Sequence, residues 1–147
     1  MTTYYSDRVV SATSKTFPAR YTPEGMWMDS ATYEANTVAS GDVIQMLKVN
    51  GAQPGGVTVV ELILTYDDCG TGTAGVGDGD ATSGFMASVD IGAAGGGVAR
   101  RGAGVTVSGT TGFPKTYTVD DTIDVIISSG TGLAGTITLT AFFQAGT

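Results

Sequence analysis

Apolar and polar residues alternate one by one over long stretches of this chain, the pattern of β-strands with one covered face. The run near the C-terminus is the cleanest. Ile137, Leu139, Ala141 and Phe143 point one way, and Thr136, Thr138 and Thr140 point the other. Ile123, Val125 and Ile127 form a second stripe, and Phe85, Ala87, Val89 and Ile91 a third. In the run 57–66, the set Val60, Leu62, Leu64 and Tyr66 is assigned to the core. Its other face, Val59, Glu61, Ile63 and Thr65, is half apolar, which predicts partial cover there too. Weaker patterns predict strands at 31–38, 42–49, 98–107 and 116–119.

Turn signals separate these runs: Ser40-Gly41-Asp42, Asn50-Gly51, Pro54-Gly55-Gly56, Asp78-Gly79-Asp80 and the segment 129–132. Glycine and Asn-Gly pairs supply the positive φ angles that hairpins need. Eight or so short strands joined by such loops suit two packed sheets better than one flat sheet. The fold class is therefore all-β, a β-sandwich for which the strand count favours a jelly-roll type. The pattern leaves strand order open, and with it an immunoglobulin-like or other Greek-key sandwich.

The period of two begins only near residue 31. Before it, Tyr4, Tyr5, Phe17, Tyr21, Met26, Trp27 and Met28 stand among Ser, Thr and Pro without strand or helix period. We read residues 1–30 as an extended N-terminal arm and 31–147 as the sandwich domain. Disordered tails are poor in aromatics, and aromatic and methionine side chains are enriched at protein contacts. Phe17, Tyr21, Met26, Trp27 and Met28 are accordingly the candidate partner contacts. The plainer alternative is a first strand and loop that wrap the domain and complete its core.

Composition sharpens the fold and narrows the function. Glycine contributes 23 of 147 residues, against an average of about 7%. These glycines follow no three-residue period, so they are turn residues and not collagen repeats. Fourteen acidic and seven basic residues give a net charge of −7. That charge disfavours nucleic acid and anionic lipid, and Arg100-Arg101 is too small a basic patch to reverse it. No apolar run approaches the ~18 residues of a membrane span. Residues 1–8 lack the basic-then-apolar layout of a secretion signal, so synthesis in the cytoplasm is expected.

Chemistry is constrained most by a residue type the sequence lacks. The chain has no histidine and one cysteine, Cys69. A serine or cysteine nucleophile ordinarily needs an imidazole base, and zinc needs Cys/His clusters. No catalytic residue, cofactor or metal is expected, and Cys69 is read as a small buried side chain. Carboxylates remain: Asp67-Asp68 and Asp78-Gly79-Asp80 flank a Gly/Thr-rich loop that could offer oxygen ligands to calcium. The spacing fits no twelve-residue calcium loop, and such residues are ordinary turn formers. Asp124 alternates with Ile123 and Val125, which predicts an outward position.

Several segments resemble the small capsid decoration, or cement, proteins of tailed bacteriophages. The segments are 39–49 with Gly51-Ala52, Val76-Gly77-Asp78-Gly79-Asp80, Phe85-Met86-Ala87, 117–125 and 135–143. The resemblance spans roughly residues 39–143, as patterns of strand and turn without a catalytic signature. It implies a jelly-roll sandwich on the outer surface of an icosahedral virion, as a homo-oligomer (dimer or trimer) bridging major capsid protein subunits. Two rivals stand against it. One is a recognition module, such as a phage fibre tip or carbohydrate-binding domain, although the loops here are rich in Gly, Thr and Asp, not aromatics. The other is a small hydrolase built on carboxylates or Cys69.

Overall fold

The computed structural model describes residues 1–6, 25–80, 83–92, 96–100 and 114–146. Ten strands run through them: β1 Thr3–Tyr5, β2 Met26–Val38, β3 Val43–Val49, β4 Val57–Tyr66 and β5 Thr73–Gly77, then β6 Met86–Asp90, β7 Gly97–Arg100, β8 Lys115–Tyr117, β9 Asp121–Ser129 and β10 Leu133–Ala145. The described residues contain no helix.

The strands form two five-stranded sheets. One has the order β1-β3-β9-β5-β6, and the other β2-β10-β4-β7 with β8 also on β4. Successive strands exchange sheets except at β5–β6 and β7–β8, and partners nest from the outside in. β2 pairs with β10, β3 with β9, β4 with β7 and β5 with β6. A long hairpin folded over on itself produces this nesting, which is the jelly roll. β7 and β8 lie end to end along one edge of β4: β7 opposite Ile63 to Tyr66, β8 opposite Val57 to Val59. β1 is an addition, laid parallel to β3 at the edge of its sheet.

Inner side chains of both sheets meet in one core. Ile44, Leu47, Leu64, Ile123, Ile137 and Leu139 are among its fully buried members. Register shifts adjust the alternation, those in β4 and β3 among them. Phe142 faces Glu61 while Phe143 faces Val59, so β4 carries Val60 as an extra residue. The phase of β4 flips at that point. Val57 and Val59 are buried before the bulge, and Leu62 and Leu64 after it, whereas Val60 is only half-buried. The expected stripe Val60–Leu62–Leu64 is therefore corrected at its first residue, because a bulge cannot be read from an unbroken apolar run. A similar shift in β3 leaves both Met46 and Leu47 facing the core.

The turns follow the glycines. Ser40-Gly41 joins β2 to β3, with Gly41 at φ 92° and the Asp42 amide donating to the Ala39 carbonyl at 3.0 Å. Asp42 holds this corner together, its carboxylate accepting from the Ala39 amide at 3.0 Å and the Thr2 amide at 2.9 Å. Those backbone donors keep its carboxyl below the usual carboxylate range. The β9–β10 turn is stitched to the same corner, since the Ser40 amide donates to the Gly130 carbonyl at 2.9 Å.

Candidate functional site

Of the five expected contact residues, Met26, Trp27 and Met28 open strand β2. Phe17 and Tyr21 lie outside the described residues. The strand splits the three by alternation. Trp27 turns inward and stacks on Phe143, with ring centroids 5.6 Å apart and planes at 27°. Met26 and Met28 turn outward and are 61% and 59% exposed. β10 continues this apolar corner, because Phe142 lies opposite Met28 in the register. Exposed large apolar side chains set side by side are informative in a way that scattered ones are not.

Beyond the methionines the same outer face becomes a ladder of hydroxyls. Ser30 pairs with Thr140 at 3.0 Å and Thr32 with Thr138 at 3.1 Å. The Thr136 hydroxyl donates to the Glu34 carboxylate at 2.7 Å. Farther across the same face, Thr58 of β4 meets Thr116 of β8 at 2.8 Å. Each pair shares one hydrogen bond across strands, so part of the polar capacity of this face is met within the sheet. The face as a whole combines an apolar corner with a hydroxyl-rich polar area.

The acidic loops were expected either to bind calcium or to make turns, and their geometry is that of turns. The Asp68 carboxylate accepts the Gly70 amide at 3.0 Å, and the Asp78 carboxylate accepts the Asp80 amide at 3.1 Å. Among the described residues, no three His, Cys, Asp or Glu side chains gather so as to hold a metal ion. Asp78 does more than cap a turn. It is 2% exposed and accepts the Tyr117 hydroxyl at 2.6 Å, while Lys115 forms an ion pair with it. Tyr117 and Lys115 belong to β8, in the opposite sheet from β5, so this constellation staples the two sheets. Burial, and then the bond to Asp78, push the Tyr117 phenol up. The sequence reading missed the staple because 37 and 39 residues separate the partners.

Asp124 is a correction. Its place between Ile123 and Val125 predicted an outward, solvated position, yet it is only 5% exposed. It does leave the core face, but that face of β9 is covered at Asp124. Among the described residues one carboxylate oxygen has no hydrogen-bond partner, and the Thr122 side chain bonds to the carboxylate. Burial raises the Asp124 carboxyl to about 6, and the charges of Asp121 and Asp78 add to the effect.

Cys69 is 2% exposed, as a small buried side chain. Burial pushes its thiol up, with Asp67, Asp68 and Glu34 adding to the shift, which is the opposite of an activated nucleophile. Of the adjacent arginines, Arg100 pairs through its backbone with Ile63 in β4, and Arg101 lies outside the described residues.

The chain matches no protein-family model, and no curated protein matches it significantly. Its fold does match solved structures. A chain of the cyanophage Pam1 capsid asymmetric unit superposes with a TM-score of 0.63 at 14% identity, covering 94% of this chain and 98% of that one. A chain of the acidic stable capsid structure of Helicobacter pylori bacteriophage KHP30 superposes with a TM-score of 0.55 at 12% identity, covering 81% and 86%. At these identities the similarity is one of fold, and it extends over nearly the whole of both chains in the first case.

Proposed function

We propose that this chain is a structural protein of a phage virion that binds the outer surface of an icosahedral capsid and stabilises it by bridging major capsid protein subunits. One observation carries the reading: the fold matches a chain of a phage capsid asymmetric unit from end to end, with little left over on either side. A sequence without histidine adds weight, because the common proton-transfer chemistry has no imidazole to use.

The contact assigned to the capsid is the apolar corner of β2, with Met26 and Met28 as anchors. Trp27 acts indirectly, by fixing the strand through Phe143. Phe17 and Tyr21, nearer the N-terminus, complete the proposed contact set. A cement protein stabilises by mass action, since it binds the assembled shell and not its dispersed subunits. A standard interface buries about 800 Å² per partner, and a dimer or trimer that grips several subunits gains effective concentration at each.

The experiment is a saturation binding assay on capsids stripped of this protein, read by cryo-imaging and sedimentation. The wild-type chain should saturate a fixed number of sites on the outer surface. The Met26→Ser/Met28→Ser double variant should bind at least roughly tenfold more weakly, about 1.4 kcal/mol, with an unchanged melting temperature. Equal binding by the variant would remove the methionines from the contact. Failure of the wild-type chain to bind any capsid would end the reading.

A further inference from the structure

We propose that the buried carboxylate of Asp124 takes up a proton and makes the folded sandwich more stable in mildly acidic solution than in neutral or alkaline solution. This property is intrinsic to the fold and holds whether or not the chain binds a capsid. The geometry is that of an anion held at a cost. Asp124 is nine-tenths buried, and one of its oxygens accepts no hydrogen bond from the described residues. A desolvated, unpartnered anionic oxygen is costly, and a neutral carboxyl is much less so.

The Thr122 side chain offsets that charge only in part, by a hydrogen bond to the carboxylate. β9 itself contributes Asp121, and the end of β5 contributes Asp78, both of the same sign. Asp80 follows in the turn after β5 and acts on Asp121. β8 brings Lys115 and Tyr117, and both are engaged by Asp78. β3 lies alongside, with the neutral Gln45 opposite Asp124 and Lys48 opposite Thr122. Three carboxylates thus share a neighbourhood in which Lys115 is already paired.

The sign follows from linkage. The folded Asp124 carboxyl is raised to about 6 from an ordinary 3.8, so between those values the folded state binds more protons than the unfolded chain. Its stabilising contribution is complete below the unfolded value and is lost as pH rises through about 6. Asp121 is raised by burial and acts in the same direction. Asp42 is lowered, and its contribution is lost only as pH falls below the ordinary carboxylate range, outside this window.

The test is thermal unfolding of the full chain from pH 8 to pH 5 beside Asp124→Asn, an uncharged near-isostere. Wild type should melt roughly 3–5 °C higher at pH 5 than at pH 8. Asp124→Asn should lose most of that rise and equal or exceed wild type at pH 8. A wild-type melting temperature that is level or falls toward pH 5 overturns the proposal, as does a variant that keeps the full rise. Carboxyl-carbon NMR of the wild-type protein gives an answer even if the variant does not fold. A midpoint for Asp124 near 6 supports the assignment, and one below about 4.5 overturns it.

Discussion

Individual side chains here are governed by what burial demands of polar groups. Asp78 is tolerated inside because Tyr117, Lys115 and a backbone amide all donate to it. Removing it strands all three donors, so Asp78→Ala should cost about 3 kcal/mol, in the range for breaking a buried pair. Tyr117→Phe removes one bond and leaves the ion pair in place, so about 1 kcal/mol is expected. Urea unfolding of the two variants checks both the values and their order, and a costlier Tyr117→Phe would contradict the staple. Asp124 is the opposite case, a buried acid without full partners. Its raised value corresponds to about 3 kcal/mol between full protonation and full ionisation. Gly92 is constrained by space alone. A Cβ there would lie 2.1 Å from the Gly70 carbonyl oxygen, so Gly92→Ala should shift backbone and destabilise by about 1–3 kcal/mol.

Among the elements, β1 and β2 decide what the N-terminal segment does. Thr3–Tyr5 pairs with Val43 to Gln45, the Thr2 amide reaches Asp42, and the Ser6 hydroxyl donates to the Met46 carbonyl. Residues 26–30 are bonded into the sheet opposite Thr140 to Gln144 of β10. Two truncations should therefore differ. Deleting residues 1–24 removes β1 but keeps β2, and a folded domain with a lowered melting temperature is expected. Deleting residues 1–30 also strips Trp27 from Phe143 and the first five residues from β2, so the loss should be larger. Circular dichroism melts distinguish them, and identical melts would show that the start of β2 contributes nothing to stability. On capsids, both truncations should bind more weakly than wild type, the longer one most of all because it removes Met26 and Met28.

For the whole molecule, the jelly roll ties the chain's distant parts together. Thr32 and Thr138 touch across 106 residues, and Ser30 and Thr140 across 110. Closing such loops before any contact compensates them is slow, so refolding should take milliseconds to seconds or longer. Stopped-flow tryptophan fluorescence reads it directly, because the chain's single Trp, Trp27, sits on the β2–β10 pair, whose partners are widely separated in sequence. Microsecond refolding would contradict this expectation. A net charge of −7 meanwhile favours repulsion between free copies.

The one-dimensional pattern was sufficient for the strands with clear alternation. It was not sufficient for β5, whose Thr73–Gly77 reads as part of a Gly/Thr-rich loop, or for Met26–Met28 at the start of β2, which read as without period. Period-two stripes at 123–127 and 137–143, and glycines at the turns, determine strands, faces and an all-β class, because a strand's alternation is local. The absence of histidine likewise limits chemistry without any structure. Tertiary structure alone decided the rest. The bulge at Val60 moved a core stripe by one residue, and the pairing of β5 with β9 and of β8 with β4 brought Asp78, Tyr117 and Asp124 into one neighbourhood. Burial is set by which strands are laid side by side, and in a jelly roll those neighbours come from opposite ends of the sequence.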